Sequence, residues 1–304
     1  MPVTVTVPAT TANLGSGFDC LGAALTIYNR FTFTDRGDDA NPLEIIVRGA
    51  EADRVDTDKD NMIYRAFCRL YAEIDRPVPA VTIEIDLGVA LSRGLGSSAT
   101  AIVGGIVGAN ELAGRPLDTT ALGNLATAIE GHPDNVIPAL MGGFRLAVPD
   151  GDQWIVCDLP WNAAIVPVVA IPDFELSTAD SRRVLPETYS RSDAAFNAAH
   201  VSLLVQGLAT GNGDWVRVGI DDRLHQSYRV ALIAGYRAVE AAAIAAGAYG
   251  VAISGAGPTM LALCSPETVD AVVAAMDQTW RTAGITPDVR SVQLDYCGVQ
   301  VEAV

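Results

Sequence analysis

The sequence predicts an α+β fold in two domains. The strand-like runs of the first half come in a group before most of its helix-like runs, an order that favours α+β over regular βαβ alternation. The chain has 304 residues, half of them hydrophobic, which is enough for two ordinary domains with a sizeable core. A turn at 150–152 precedes the proline-rich stretch 160–172, so we divide the chain into domains 1–152 and 153–304.

The elements of the first domain follow from hydrophobic periodicity. Alternation of apolar and polar residues predicts strands at 3–7, 25–33, 43–48 and 81–87. Longer runs predict helices at 61–75, 97–113 and 118–130. The helix at 97–113 is apolar enough to be buried.

The second set of elements begins after Gly142 and Gly143. Strands are predicted near 144–149, 154–158 and 163–171, and helices near 192–210 and 230–246. A strand, a glycine-rich turn and a second strand are predicted across 250–264, followed by a helix at 266–283 and a strand near 289–295. The sequence contains no internal repeat and no low-complexity linker.

Composition excludes several classes of protein. The net charge of −16 argues against a nucleic-acid partner, which needs a basic face. Lys59 is the only lysine, so an anionic ligand must be held by local arginines, amide dipoles or a bound cation. The five cysteines are scattered and never form a Cys-x-x-Cys pair, which indicates neither a disulfide framework nor a zinc site.

The sequence also lacks targeting and membrane signals. Its amino terminus is an alternating strand without the charged and apolar blocks of a signal peptide. The most continuous apolar run, 99–109, is well short of the roughly twenty residues that cross a bilayer. We therefore expect a cytoplasmic protein without a membrane partner.

The most informative segment is the glycine-rich loop 91–100, between a predicted strand and a predicted buried helix. Gly94 and Gly96 permit close approach of a ligand, and a side chain at Gly96 would occupy phosphate space. Ser97 and Ser98 then lie at a helix amino terminus, a favoured place for an anion. No lysine follows the glycines, so this is not a Walker loop.

Two other interpretations of this loop remain. It can be a turn followed by a capping serine. It also fits the dinucleotide fingerprint, which however requires an acidic residue after a second strand about twenty residues on. Glu111 lies inside the predicted helix instead, which disfavours a Rossmann oxidoreductase.

Polar residues cluster at two further places in the first domain. Asn13 and Asp19 surround two glycines directly after the first strand, where Asn13 can bind a ligand or form an Asx-turn. The segment 129–135 ends a predicted helix and contains Glu130, His132, Asp134 and Asn135. Four such residues beside a glycine and a proline, which mark a loop, indicate a functional site more than a helix cap.

The second domain contributes arginines and a glycine loop. Thr178 and Arg182 lie four residues apart, and therefore on one face if their segment is helical. Arg229 follows in a separate histidine-containing segment. Each arginine can instead form a surface salt bridge, the usual state in an acidic protein. The loop 252–259 can hold a bound group or form a tight hairpin.

These segments resemble the three motifs of the GHMP small-molecule kinases, in order and with suitable separations. The opening Pro-Ala-Thr-Thr-Ala-Asn-Leu-Gly-Ser-Gly-Phe-Asp-Cys-Leu-Gly, Glu-Gly-His-Pro-Asp-Asn-Val, Ser-Thr-x-x-x-Arg-x-Val-Leu-Pro and Leu-His-Gln-x-Tyr-Arg are similar to the homoserine kinases of that superfamily. The resemblance runs from residue 3 to about 265. It implies a two-domain GHMP kinase fold, with an amino-terminal domain like ribosomal protein S5 domain 2 and a ferredoxin-like carboxy-terminal domain.

The resemblance also implies roles for individual residues. ATP would contact Leu91, Ser92, Arg93, Gly94, Leu95, Gly96, Ser97, Ser98, Ala99, Thr100, Asn61, Gly255 and Gly257. Homoserine would be surrounded by Asn13, Asp19, His132, Asn135, Arg182 and Arg229, and Thr178 and Arg182 would lie near the reacting groups as catalytic residues. Mg²⁺ would be held by Ser98 and Glu130, with the uncharged Asn124 as the other candidate for the second ligand.

The residues agree physically with the implied reaction, transfer of the γ-phosphoryl group of ATP to the side-chain hydroxyl of L-homoserine. Arg182 and Arg229 offer planar forks for a carboxylate, and Asp19 can pair with an ammonium group. The first motif lacks the lysine that some superfamily members pair with a catalytic aspartate. We therefore expect catalysis by alignment, metal and amide electrostatics; we assign no general base and favour Asp19 as a group that holds the substrate.

The sequence departs from the implied family pattern at two loop positions. Ala90 stands where the resemblance implies a proline, and Ser92 where it implies glycine, so we expect the stiffness of the loop to differ. Two rival functions remain open: a kinase of the same superfamily acting on another alcohol such as mevalonate, and a non-catalytic sensor of nucleotide and metabolite. We expect a homodimer.

Overall fold

The computed structural model describes residues 2–37, 41–151 and 153–303 and contains two β-sheets, each packed against helices. Asp152, the last residue of the predicted first domain, lies outside the described residues. The first half contains β1 (Val3–Ala12), β2 (Leu21–Asp35), β3 (Leu43–Arg48), α1 (Met62–Glu73), β4 (Val81–Asp86), α2 (Ser97–Leu112), α3 (Thr119–Glu130), α4 (Pro133–Met141), β5 (Phe144–Asp150) and β6 (Gln153–Leu159).

The second half contains four further strands in addition to a strand that returns to the first sheet. In chain order its elements are β7 (Val166–Ile171), α5 (Thr178–Arg183), α6 (Arg191–Thr210), α7 (Gly213–Gly219), α8 (Gln226–Arg229), α9 (Tyr236–Ala245), β8 (Ala248–Ile253), β9 (Met260–Cys264), α10 (Val269–Thr282), β10 (Asp288–Ser291) and β11 (Gln300–Ala303). Single 3₁₀ turns at Ala52–Arg54 and Val230–Leu232 precede α1 and α9.

The first sheet has the strand order β11-β1-β2-β4-β3, and β5 pairs with both β2 and β6. Its pairs are antiparallel except for β3 and β4, whose parallel connection contains α1. The apolar side chains of α1 and α2, among them Phe67 and Ile106, pack with Phe33 and Ile83 of the sheet in one buried cluster. This packing fixes the amino terminus of α2 beside the carboxyl end of β1, where Leu95 O accepts from the Thr10 amide.

The second sheet has the antiparallel order β10-β7-β9-β8. With helices between β7 and β8 and between β9 and β10, this is the order of a ferredoxin-like βαββαβ unit, as the resemblance implied. Alternate residues of its central strands face opposite sides. Val168 packs with Trp280 of α10, whereas Val169 packs in a cluster with Leu25 and Phe144 of the first sheet.

Several elements differ from the sequence prediction. α4 and α7 were not predicted, and β11 returns from the end of the chain to pair with β1. The helix predicted at 230–246 begins only at Tyr236, because Gly235 with φ of +74° separates it from a 3₁₀ turn. The strand predicted near 289–295 spans Asp288–Ser291.

Strand pairing also bears on the domain division, which stays a prediction. β6 lies beyond residue 152, but it pairs along its whole length with β5 of the first sheet. We propose that the boundary lies at 160–165, between β6 and β7, with β11 returning to the first domain. Among the described residues, no helix is both long enough and apolar enough to cross a membrane.

Candidate active site

A cavity of about 360 Å³ lies between the two sheets and brings most of the predicted residues together. The carboxyl end of β1, the amino termini of α2 and α4, α5 and the loop before β9 all contribute to its walls. The predicted residues that line it are Asn13, Asp19, Asn61, Leu91, Ser92, Arg93, Gly94, Gly96, Ser97, Ser98, Glu130, His132, Asn135, Thr178, Arg182, Arg229, Gly255 and Gly257.

The glycine-rich loop has the geometry of an anion site. Gly96 has φ of +68° and caps α2, so the amides of Ser97 and Ser98 begin the helix without partners in an earlier turn. These two residues face the cavity. Unpaired amides and the helix dipole together favour a phosphate at this place.

The role expected for Gly96 needs a correction. A Cβ atom at this position would lie 2.0 Å from Thr10 Oγ1 and 3.2 Å from Asn135 Oδ1. Thr10 itself donates to Asn135 Oδ1 at 2.8 Å. A side chain at position 96 would therefore collide with this hydrogen bond first, and not simply fill phosphate space. Ser92, where glycine is common in the family, has φ of +54°, which explains the preference.

The second glycine loop is docked against the first. Ser254 Oγ donates to Gly94 O at 2.6 Å, and a Cβ at Gly94 would lie 2.3 Å from Ser254 O. The Gly255 amide donates to Ala12 O at the end of β1. The three motifs of the sequence thus meet at one place, and Gly94 must be glycine because another backbone lies against it.

Four residues assigned to ATP do not offer it their side chains. Leu95, Ala99 and Thr100 are fully buried and do not line the cavity; Thr100 Oγ1 donates to Ser97 O. Asn61 lines the cavity, but its side-chain oxygen Oδ1 caps α1 by accepting from the Ile63 amide at 2.9 Å. These residues shape the loop and the wall from behind.

The two residues assigned to Mg²⁺ contact each other. Ser98 Oγ donates to Glu130 Oε2 at 2.7 Å, so two side-chain oxygen atoms lie side by side at the amino terminus of α2. Burial raises the pKa of the Glu130 carboxyl, which the Ser98 hydrogen bond and His132 partly oppose. Asn124, the alternative ligand, does not line the cavity. No cluster of three or more metal-ligating side chains occurs among the described residues.

Two groups of opposite charge face each other at the other end of the cavity. Arg182 of α5 binds Asp19 in a forked pair, with Nη2 2.9 Å from Oδ1 and Nη1 3.3 Å from Oδ2. Asp19 has φ of +57°, a conformation imposed by the tight turn after β1. Thr178, at the start of the same helix, is exposed at the cavity wall.

The second arginine is held quite differently. Arg229 is only 2% exposed, and its Nε donates to Ser181 O and its Nη1 to Gly255 O. Nη1 also donates to His225 Nδ1 at 3.2 Å. Burial and the charge of Arg182 lower the pKa of Arg229 below its ordinary value. These contacts use the Nε proton and both protons of Nη1, so Nη2 is the part of the guanidinium that remains for a ligand.

His225 and Phe18 support this arginine and were not among the predicted site residues. His225 is completely buried and its Nε2 lies 2.8 Å from Gly15 O. Because a carbonyl only accepts and a guanidinium only donates, the ring is neutral with its proton on Nε2. Phe18 stacks on His225 at 5.0 Å and lies 5.3 Å from the Arg229 guanidinium carbon. Since Phe18 belongs to the opening motif, that motif was the available signal.

The polar residues of the first domain form two separate groups of hydrogen bonds. Asn13 Nδ2 donates to Gly255 O at 2.8 Å, and its Oδ1 accepts from the Asp19 amide. Asn13 is therefore occupied in joining β1 to the second domain. His132 Nδ1 lies 2.6 Å from Asp134 Oδ1, a buried carboxylate that the sequence had not assigned to substrate.

His132 carries a shifted pKa. Burial lowers it, but the hydrogen bond and charge of Asp134, together with Glu130, outweigh burial and raise the pKa above its ordinary value. The imidazolium form is thus favoured beside two carboxylates. When His132 is protonated, its charge adds to the anion-binding character of the cavity.

The cavity wall also includes the apolar residues Val55, Met62, Leu87, Leu91 and Leu176, of which only Leu91 had been assigned to ATP. Apolar walls beside polar groups are typical of small-molecule sites. Their scattered positions carry no motif, so sequence reasoning had no signal for them.

The fold and the cavity are those of a GHMP kinase. The model of the GHMP kinases N terminal domain matches residues 61–143, and the model of the GHMP kinases C terminal matches residues 204–282. More narrowly, the chain belongs to the homoserine kinase family. It is 61% identical to the homoserine kinase of Microchaete diplosiphon over 296 residues, 97% of this chain and 96% of the relative.

Solved structures agree with this assignment. The crystal structure of homoserine kinase from Cytophaga hutchinsonii superposes with a TM-score of 0.89 at 30% identity, covering 99% of this chain and 97% of that one. The mevalonate kinase of L. major, solved with R-mevalonate, superposes with a TM-score of 0.72 at 15% identity over 96% of this chain and 95% of its own. The second likeness concerns the fold alone.

Proposed function

We propose that this protein transfers the γ-phosphoryl group of ATP to the side-chain hydroxyl of L-homoserine and releases O-phospho-L-homoserine and ADP. The observation that carries the proposal is the pairing of Asp19 with Arg182 beside the buried Arg229, at the end of a cavity whose other end is a phosphate-binding loop. This arrangement suits a zwitterion with a hydroxyl directed toward a triphosphate.

The nucleotide end supports ATP binding without a lysine. The amides of Ser97 and Ser98 would bind phosphate oxygens, and the base would lie against the apolar wall that includes Val55 and Leu87. Asn61 holds this wall in place by capping α1.

A magnesium ion fits the oxygen ligands present. Mg²⁺ takes one or two protein oxygens and completes its shell with phosphates and water, and Ser98 and Glu130 offer one such pair 2.7 Å apart. When bound, the ion supplies charge neutralisation of the phosphates. Burial raises the pKa of Glu130, so a cation beside it would favour the ionised carboxylate.

The homoserine end is assembled from both domains. Arg182 and Arg229 would bind the substrate carboxylate, and Asp19 the ammonium group. His132 and Asn135 also line the cavity that contains Ser98 and Glu130. Thr178, another lining residue, would lie near the reacting hydroxyl. We place no general base: the described residues instead support positioning and charge stabilisation, which dominate phosphoryl transfer.

The test is release of ADP from ATP with a panel of homoserine, serine, threonine, mevalonate and shikimate. Homoserine should be phosphorylated far better than mevalonate, which has no ammonium group for Asp19. Equal or better turnover of mevalonate would overturn the assignment, and binding without turnover of any alcohol would indicate a sensor.

A homodimer and a cytoplasmic location form part of the same proposal. Light scattering on the purified chain tests the first, and fractionation of the source cells tests the second.

A further inference from the structure

Arg93 belongs to the phosphate-binding loop, but its guanidinium is bound to protein groups and not left free for a phosphate. Nη1 donates to Glu51 Oε1 at 3.0 Å and to Leu91 O at 2.6 Å. Nε donates to Pro172 O and Nη2 to Asp173 O, each at 3.1 Å. A guanidinium has five N–H donors, and these contacts use four of them. The side chain is 12% exposed.

Glu51 completes the arrangement from a third segment. Its Oε2 accepts from the Leu91 amide at 2.8 Å, while its Oε1 binds Arg93. Both polar backbone groups of Leu91 are therefore held by one ion pair. The neighbouring Ser92, in a left-handed conformation, accepts from the Leu176 amide at 3.2 Å.

The contacts of Arg93 reach the second domain at a functionally important place. Pro172 and Asp173 follow β7, and the chain then passes through Leu176 into α5, which bears Thr178 and Arg182. The loop that would bind phosphate and the segment that leads to the substrate-binding helix are thus joined by three hydrogen bonds, two from the Arg93 side chain and one between the backbones of Leu176 and Ser92.

We propose that Arg93 is a positioning residue: paired with Glu51, it holds the phosphate loop and the segment 172–176 in one alignment, so that ATP and the alcohol substrate are presented to each other correctly. The proposal rests on the proposed function for its kinetic assay only. Its structural part, that one side chain couples two segments, can be measured without turnover.

The first test is amide hydrogen exchange on the full chain. Arg93→Ala should increase exchange at least tenfold in both 88–95 and 172–182. Arg48→Ala, which removes an exposed arginine side chain paired with Glu84 and Asp86 of β4, should leave both segments unchanged. Faster exchange confined to 88–95 would show that the segments are not coupled and would overturn the proposal.

The second test separates positioning from direct phosphate binding. Arg93→Ala should lower kcat for homoserine by at least tenfold, while ADP affinity measured by calorimetry changes less than threefold. Arg93→Lys keeps the positive charge but cannot make the four hydrogen bonds of the guanidinium. Its kcat should therefore lie between that of the wild type and that of Arg93→Ala. A loss confined to nucleotide affinity would make Arg93 a phosphate ligand and would contradict positioning.

A substitution of Glu51, the ion-pair partner of Arg93, provides a test if Arg93→Ala does not fold. Glu51→Gln keeps an acceptor for the Leu91 amide but removes the negative charge facing Arg93, and should lower kcat at least fivefold with exchange raised in both segments. Unchanged exchange in a folded Glu51→Gln protein would overturn the proposal. If the wild-type chain does not phosphorylate homoserine, the proposed function fails, and the exchange measurements still decide the role of Arg93.

Discussion

The two arginines that the proposal gives to the substrate carboxylate differ in what else they hold. Arg182 is partly exposed and pairs with Asp19, so it can exchange that carboxylate for the one on the substrate. Arg229 is buried and satisfies the carbonyls of Ser181 and Gly255. The same substitution should therefore have different consequences at the two positions.

We expect Arg182→Ala and Arg229→Ala each to lose about 2–4 kcal/mol of transition-state stabilisation, seen in kcat/KM for homoserine. Only Arg229→Ala should also lower the free energy of unfolding, by about 1–3 kcal/mol, since it removes the side-chain donor to the Ser181 carbonyl and leaves the Gly255 carbonyl with Asn13 as its side-chain donor. Steady-state kinetics and urea titration measure both effects. A folded variant that loses less than about threefold in kcat/KM would show that its arginine does not contact substrate.

The histidines should titrate very differently. Asp134 and Glu130 raise the pKa of His132, whereas burial lowers the pKa of His225. In NMR titration of the three histidines, His132 should therefore become neutral at a higher pH than a free imidazole and His225 should stay neutral at pH 6.

The raised pKa of His132 determines how protein stability changes with pH. Because its pKa is raised in the folded state, the pair with Asp134 stabilises the protein fully below the unfolded pKa of about 6.5, and this contribution is lost as pH rises through the folded pKa. Asp134→Asn should lower the pKa of His132 and weaken this dependence. Identical titration of His132 in the variant would contradict the role of Asp134.

Single residues also show where sequence reasoning stops. The resemblance assigned Ser98 and Glu130 to one ligand and Asp19 and Arg182 to another, and the structure brings the members of each pair into contact. The sequence motifs did not reveal that the side-chain amide of Asn13 donates to Gly255 O and accepts from the Asp19 amide. The contact with Gly255 depends on the approach of a loop that is distant in sequence.

Among the elements, the amino terminus of α2 depends on one glycine that is crowded by its neighbours. Gly96 shares a positive φ with Gly114, which follows α2, but nothing lies within 4 Å of a Cβ built at Gly114. The two positions therefore separate the effect of backbone conformation from the effect of space.

Gly114→Ala should cost about 1–2 kcal/mol of stability through the left-handed conformation alone. Gly96→Ala should cost about 1–3 kcal/mol more, because its Cβ collides with Thr10, and it should also weaken ATP binding by moving the amides of Ser97 and Ser98. Urea titration and calorimetry with ATP measure these losses. Equal stability of the two variants, with ATP affinity intact, would mean that the loop tolerates a side chain.

Elements with strong periodicity were predicted well, and those defined by distant pairing were not. β3 was predicted with the observed bounds, and α2 ends one residue before its predicted end. α4 was missed because its sequence contains prolines, which usually mark loops. Pro133, however, occupies the first turn of the helix, where proline is tolerated. β11 has four residues and becomes a strand only by pairing with β1.

For the molecule as a whole, the net charge of −16 opposes an anionic substrate. Local features must therefore offset the overall field at short range. Lys59, the only lysine, is exposed in the segment before α1 and does not line the cavity. The cavity instead offers amides, arginines and an oxygen pair for a cation.

ATP turnover should accordingly fail when divalent cations are removed by a chelator and return with Mg²⁺, whereas Lys59→Ala should keep nearly full activity. Steady-state kinetics and calorimetric titration with ATP provide the measurements. Tight ATP binding in the chelator-treated protein, or its loss in Lys59→Ala, would show that the phosphates are held elsewhere.

The return of β11 to β1 makes the second domain an insertion within the first. Residues 160–299 leave the first sheet after β6 and come back to it at the opposite edge. The first sheet therefore cannot be excised as a contiguous fragment with all its strands, because a cut at 160 separates it from β11, whereas residues 160–299 keep all four strands of the second sheet. The chain should behave as one cooperative unit, and the two fragments made by a cut at 160 should restore the first sheet only by complementing each other.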